Sequence, residues 1–127
     1  IADFKEGYST VVGERGTALS GGQKQRISIA RALIKNPEIL ILDDSVSAVD
    51  TDTEEKILEH LHRDRMGKTN IIIAHRISTI QNADLIIVLD DGKIAEKGTH
   101  TELLKSKGLY HSIYEKQLLE KMLEEQE

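Results

Sequence analysis

Residues 39–44 have the sequence Ile-Leu-Ile-Leu-Asp-Asp, a short apolar run that ends in a pair of carboxylates. Such a run, without polar alternation, is typical of a strand covered on both faces in a parallel sheet. Similar runs at 70–74 and 85–89 predict two further buried strands. Because helical patterns lie between the strands, we predict an α/β domain with a mostly parallel sheet.

Three capping patterns predict where helices begin. Ser20 and Gln23 match a capping box, which predicts a helix over about 22–35. The apolar residues of this segment cover much of the helix circumference, so we expect the helix to be well buried. A Thr followed three residues later by Glu predicts two more helix starts, at Thr51 and at Thr99.

The C-terminal third carries a hairpin signal and a final helical pattern. Asp91 and Gly92 predict a two-residue turn into a strand over 93–96. A last helix is predicted from near Leu109, and the glutamates within 124–127 oppose its C-terminal dipole. We therefore expect that end of the helix to fray.

Composition narrows the class of protein. The 127 residues carry 17 Lys and Arg against 22 Asp and Glu, a formal net charge of −5, and no cysteine. The length suits one domain or a piece of a larger one. Residues 1–20 lack a signal-peptide pattern, no apolar run approaches the roughly 20 residues of a membrane span, and the mild acidity argues against nucleic acid. These features predict a soluble intracellular globular chain.

Two predicted strands lead directly into side chains that can carry chemistry. Asp43 and Asp44 follow the first strand, and His75 follows the second. Ligands of parallel α/β sheets bind beyond the carboxyl ends of the strands. The carboxylate pair suits a hydrated cation and a base that orients water, and the histidine could touch the same bound group. Structural roles stay open here: Asp44 as a cap of the following turn, and His75 as a hydrogen-bonded polar residue.

The turn formed by Ser20, Gly21, Gly22 and Gln23 is a candidate anion site. A helix start offers free N–H groups, the two glycines let another backbone approach, and the serine supplies a hydroxyl donor. Together these groups suit a phosphate. An ordinary glycine-rich helix cap is the alternative interpretation.

The order of motifs along the chain resembles the nucleotide-binding domain of ATP-binding cassette (ABC) proteins, in particular of exporters. The matching segments are the exporter X-loop (10–16), the signature motif with its helix (19–32), the Walker B strand (39–43), the D-loop (47–50), the switch-histidine loop (73–79) and an exporter-type segment (96–104). The resemblance implies a P-loop NTPase-like (RecA-like) α/β fold.

The phosphate-binding Walker A loop of that family is missing from this chain. Gly67, Lys68 and Thr69 imitate its end, but His62 stands where the pattern requires glycine, and the triplet precedes a strand. The resemblance therefore implies the C-terminal half of a nucleotide-binding domain, inactive as an ATPase on its own. Its expected parts are the X-loop, signature and helix (1–36), the Walker B, D-loop and switch-histidine core (37–108) and a C-terminal helix (109–127).

The resemblance also implies how ATP and Mg²⁺ would be bound. Two such domains sandwich ATP, so residues 20–23 would bind nucleotide held by the partner domain, and Ser20 and Gly22 would contact its γ-phosphate. Asp43 would hold Mg²⁺ through water, and Asp44 stands where the family has a glutamate that polarises the attacking water. His75 would touch the γ-phosphate, and Asp50 would bridge the dimer interface.

For the whole protein, the resemblance implies an ATP-driven exporter. Its partners would be a transmembrane domain and a second nucleotide-binding domain, and it would lie at the cytoplasmic face of a membrane. Asp44 in place of glutamate, together with Val12 in the X-loop, predicts the degenerate-site subunit of a heterodimer. The alternative is a soluble ABC ATPase linked to translation or DNA repair, and the exporter-type X-loop opposes a nucleic-acid partner.

Overall fold

The computed structural model describes all 127 residues, which form two compact units, 1–73 and 74–127. The first unit contains short 3₁₀ turns at Gly7–Ser9 and Glu14–Gly16, helix α1 (Gly21–Ile34), strand β1 (Ile39–Asp43), helix α2 (Thr51–Asp64) and strand β2 (Thr69–Ile73). The second contains helix α3 (Ile77–Ile80), strands β3 (Ile86–Asp90) and β4 (Lys93–Gly98), and helices α4 (His100–Ser106) and α5 (Leu109–Glu124). No helix combines the length and apolar character needed to cross a bilayer.

The first unit is built on a parallel pair of strands, which confirms the predicted α/β class. β1 and β2 run in register from Ile39 opposite Thr69 to Asp43 opposite Ile73. Its core consists of residues from β1, both helices and the loop between β1 and α2: Ile29, Leu40, Leu42, Val46, Val49 and Leu61.

Burial in this unit is lower than the sequence predicts. Along β1, Leu40 and Leu42 are buried, whereas Ile39 and Ile41 are 59% and 60% exposed. The prediction that this strand is covered on both faces is therefore wrong, because α1 and α2 contribute to a core on one face only. The expectation of a well-buried helix over 22–35 is also wrong, since α1 buries a single residue, Ile29.

Two polar contacts lie near the start of the strands. Arg65, at the end of α2, is buried, and its Nε donates to Asn70 Oδ1 at 2.6 Å. The ammonium group of Lys68, just before β2, donates to the side chain of Asn36, just before β1. The first contact ties the end of α2 to β2, the second joins the segments that lead into the two strands, and the candidate carboxylates lie at the opposite end of β1.

Two of the three capping predictions are confirmed. Ser20 and Gln23 form the complete capping box, and the Thr99 hydroxyl oxygen accepts the Glu102 N–H. The predicted start at Thr51 is wrong by one residue, because Asp50 is the N-cap of α2. An ionised carboxylate is a stronger acceptor than a hydroxyl, which explains why the aspartate takes this position.

The second unit contains an antiparallel hairpin, which follows α3. β3 and β4 are joined by the predicted turn, in which Asp91 and Gly92 both have positive φ, 49° and 71°. This is the conformation that a two-residue hairpin turn requires. The strand predicted at 85–89 is present as β3, but the prediction that it is buried is wrong, because Ile86 is buried while Leu89 is 69% exposed.

The core of the second unit gathers around Tyr110 in the first turn of α5. Tyr110 is 2% exposed and packs with Ile77, Ile86 and Leu103. Its backbone N–H donates to Glu96 Oε2 at 2.9 Å, which ties the start of α5 to β4. The N-terminal half of α5 is thereby held firmly.

Candidate functional site

The glycine turn, residues 20–23, packs closely against the loop that follows β1. A Cβ added to Gly22 would lie 2.9 Å from the backbone oxygen of Ala48, and one added to Gly21 would lie 3.2 Å from the Ala48 Cβ. Ser20 is exposed, and its Oγ accepts the Gln23 N–H at 3.2 Å. The N–H groups of Gly21 and Gly22 precede the first intrahelical hydrogen bond of α1. The turn therefore carries an exposed serine and two backbone donors that have no acceptor within α1.

This packing predicts that Gly22→Ala destabilises the chain, although alanine is the better helix former. The added methyl group meets a backbone oxygen that cannot rotate away, and overpacking of this kind costs about 1–3 kcal/mol. Gly21→Ala, whose new methyl group would lie 3.2 Å from the Cβ of Ala48 and is therefore less crowded, is the matched control and should cost less. Urea denaturation of both variants measures the difference, and equal free energies of unfolding would contradict it.

The two carboxylates stand at the end of β1, where the backbone turns sharply. The Asp44 N–H donates to the Ile73 carbonyl at 2.9 Å, which extends the pairing one residue beyond Asp43. Asp44 has a φ of 53°, a left-handed conformation that Asp and Asn tolerate better than other residues with a side chain. The hydroxyl of Ser47 donates to the Asp44 carbonyl at 3.1 Å. The turn is thus held through the backbone of Asp44, and both carboxylates are exposed.

Gln25 connects the glycine turn to this loop, and sequence reasoning did not identify its role. Its Nε2 donates to the Asp44 carbonyl at 3.2 Å and to Ser47 Oγ at 3.0 Å, and its Oε1 accepts the Ala48 N–H at 2.8 Å. Gln25 lies four residues after Gly21 and three after Gly22, so it is on the same face of α1 as both glycines. That spacing is the signal that could have identified it.

Asp50 takes a local structural role in this structure. Its carboxylate accepts hydrogen bonds from the Thr53 hydroxyl at 2.6 Å and from the Thr53 N–H at 3.1 Å. The Thr53 side-chain hydrogen bond, followed by the backbone one, lowers the pKa of Asp50 from its ordinary value. The group remains exposed and charged at neutral pH.

His75 belongs to the second unit, whereas the glycine turn, the carboxylates and Asp50 belong to the first. The side chain of His75 is exposed. Its backbone carbonyl accepts a hydrogen bond from Gln117 on α5 at 2.7 Å. The role of Gln117 was not predicted from the sequence. Its position on the helix face that carries Tyr110 and Ile113 is a signal that could have indicated a buried polar contact.

The exposed carboxylates of Asp43 and Asp44 could hold Mg²⁺ only together with other ligands, such as water and the phosphates of a nucleotide. No group of three or more His, Cys, Asp or Glu side chains is arranged to hold a metal ion. Mg²⁺ is usually bound by one or two carboxylates together with water and phosphate oxygens. Asp43 and Asp44 have the right chemistry for such a shared site.

Comparison with known proteins gives a consistent picture. A family model described as ABC transporter matches residues 2–47. The chain is 56% identical over 121 residues to multidrug resistance protein pgp-1 of Caenorhabditis elegans, covering 95% of this chain and 9% of that protein. It is 61% identical over 113 residues to the probable multidrug resistance ABC transporter ATP-binding/permease protein YheI of Bacillus subtilis, covering 89% and 19%.

A solved structure also matches the fold. It is described as a bacterial Atm1-family ABC exporter with ATP bound, with a TM-score of 0.88 and 51% identity, covering 91% of this chain and 20% of that one. The human mitochondrial potassium channel ATP-binding subunit is 55% identical over 120 residues, covering 94% of this chain and 16% of that protein. The chain thus spans at most a fifth of each of these proteins.

Proposed function

We infer the function of this chain from its membership of the ABC transporter family, in which it is part of an exporter-type nucleotide-binding domain. The intact protein binds ATP and hydrolyses it to drive the export of a substrate across a membrane. The observation that carries this proposal is the glycine turn, in which Ser20 and Gly21 are exposed while Gly22 packs against the carbonyl of Ala48. That arrangement suits a phosphate and leaves little room for a side chain at Gly22.

The glycine turn acts on ATP bound by a second nucleotide-binding domain. Ser20 would donate its hydroxyl, and Gly21 and Gly22 their N–H groups, to the γ-phosphate, while Gln23 keeps Ser20 in place through the capping box. Fixed donors aimed at the transferring phosphate stabilise its developing charge in a site from which bulk water is excluded. Closure of the two domains on each other then accompanies each round of hydrolysis.

The chain's other polar groups belong to its own nucleotide site. Asp43 would hold Mg²⁺ through water, Asp44 would orient the attacking water, and His75 would contact the γ-phosphate in the closed pair. Mg²⁺, when bound, neutralises charge on the phosphate oxygens. The exposed carboxylate of Asp50 would reach across the interface between the domains.

We further propose that the protein is one subunit of an asymmetric, heterodimeric exporter. The carboxylate of Asp44 is one methylene shorter than that of the glutamate it replaces, which weakens this chain's own catalytic site. The glycine turn is complete, so the partner's site remains competent. Val12 in the X-loop is a second, weaker departure.

The remaining parts of the intact protein follow from the same proposal. A transmembrane domain would carry the substrate path, and the nucleotide-binding domains would lie on the cytoplasmic face. Within the chain, 1–36 would carry the X-loop and signature, 37–108 the catalytic core and 109–127 the C-terminal helix. A soluble ABC ATPase linked to translation or DNA repair is the alternative, and the similarity to multidrug resistance proteins favours the exporter.

Removal of Mg²⁺ tests the proposed activity. The intact protein, reconstituted in lipid vesicles, should hydrolyse ATP, and excess EDTA should abolish that activity because the phosphates and the negatively charged carboxylates would then face each other without a neutralising cation. Addition of Mg²⁺ should restore the rate, which is measured as phosphate release. A preparation that binds ATP but releases no phosphate with Mg²⁺ present would contradict the ATPase proposal.

A further inference from the structure

The side chain of Gln117 bridges two backbone groups next to His75. Its Nε2 donates to the carbonyl of His75 at 2.7 Å, and its Oε1 accepts the N–H of Ile77 at 2.9 Å. Because one partner is an acceptor and the other a donor, only one orientation of the amide satisfies both. Gln117 therefore pairs with residues 75 and 77 much as a neighbouring strand would.

This bridge constrains the backbone that carries the histidine. Arg76, between the two contacts, is extended, with φ −88° and ψ 127°. Ile77 begins α3, and its N–H is one of the donors that a helix start leaves without an intrahelical acceptor. Gln117 therefore holds the backbone from which the exposed side chain of His75 extends.

Gln117 is itself carried by a packed helix. Two turns earlier on α5, Tyr110 is 2% exposed and belongs to the same core cluster as Ile77, with Ile113 and Tyr114 packed against it. The bridge is partly buried on the Ile77 side, where a hydrogen bond is stronger than in bulk water. The position of α5 therefore determines where Gln117 holds the backbone beside His75.

We propose that Gln117 is a positioning residue for His75, which holds the histidine where it can reach the γ-phosphate. This inference rests on the proposed function, since it needs His75 to act on bound ATP. Displacement of a reacting group by about 1 Å can slow a reaction by roughly a hundredfold, and loss of a bridge on one side of the loop should displace His75 by less. We therefore expect Gln117→Met to slow the His75-dependent step by about tenfold.

Single-turnover hydrolysis by the intact, assembled protein tests the proposal. His75→Ala first identifies the kinetic phase that depends on the histidine. Gln117→Met should slow that same phase by about tenfold, while the affinity for ATP changes by less than about twofold, because Gln117 does not touch the nucleotide. The double variant should be no slower than His75→Ala alone, since both changes act through one group.

Two controls separate positioning from general damage. Gln126→Met makes the same substitution at an exposed position just beyond α5 and should leave every phase unchanged. Gln117→Glu keeps the acceptor for the Ile77 N–H but loses the donor to the His75 carbonyl, so it should slow the same phase even if the methionine variant folds poorly.

The outcomes distinguish this inference from the proposed function. If His75→Ala slows no phase, the proposed role of His75 is wrong and the inference fails with it. If His75→Ala slows a phase but Gln117→Met and Gln117→Glu leave that phase at the wild-type rate, the positioning role of Gln117 alone is overturned. An additive double variant would also overturn it, because it would indicate independent damage.

Discussion

Replacement of Ser20 with arginine should slow ATP hydrolysis by the assembled protein by at least about a hundredfold, the usual effect of losing a preorganised donor at the transition state. The larger, positively charged side chain would occupy the space in front of the glycine turn, where the partner's γ-phosphate must lie. ATP binding to the same subunit should change little, because the turn serves the other subunit's nucleotide. Phosphate release and equilibrium ATP binding measure the two effects.

The control for this variant must account for the helix cap. Ser20 Oγ accepts the Gln23 N–H, and loss of such a cap costs roughly 1 kcal/mol of stability. Ser20→Thr keeps both the cap and the hydroxyl and should retain most of the activity. Ser28→Arg places the same side chain at an exposed position of α1 and should have no effect. Full hydrolysis by Ser20→Arg would exclude a phosphate contact at this turn.

Substitutions of Asp44 should distinguish the hydrolysis rates of the two nucleotide sites in the proposed pair. Asp44→Glu restores the missing methylene and moves the carboxylate forward by roughly 1 Å, a displacement that can change a rate by about a hundredfold. Hydrolysis at this chain's own site should therefore accelerate. Glutamate tolerates the left-handed conformation at this position less well than aspartate, but the hydrogen bonds of the Asp44 backbone to Ile73 and Gln25 oppose a shift.

Asp44→Asn is the matched control, because it preserves size and tolerance of the left-handed conformation while it removes the charge. If this chain's site is slow, total ATP turnover should fall only slightly. Single-turnover rates and steady-state rates of both variants give the comparison. A near-complete loss of turnover in Asp44→Asn would show that Asp44 is a working catalytic base and that the asymmetric proposal is wrong.

Local structure was predictable where a few neighbouring residues determine it. The capping box of Ser20 and Gln23 and the turn of Asp91 and Gly92 depend only on residues a few positions apart, and both form as predicted. The start of α2 was misplaced because Asp50 and Thr51 can both act as an N-cap, and only the structure shows that the carboxylate does so.

Burial was not predictable from the same patterns. The apolar run of β1 indicates that the strand can be covered on both faces, but which face is covered depends on where the helices pack. In this chain Ile39 and Ile41 remain exposed. The bridging roles of Gln25 and Gln117 also depend on packing, since each connects a helix to a loop distant in sequence.

The central claim is that the glycine turn of this chain acts on nucleotide held by its partner. It can be tested with photo-crosslinkable ATP and vanadate, which traps ADP at sites that have turned over, followed by separation of the subunits. In the intact pair, Ser20→Arg should remove the trapped label from the partner subunit and leave unchanged the smaller amount that the slow site traps on the subunit that carries the substitution. Label lost from the substituted subunit and retained on its partner would contradict the account.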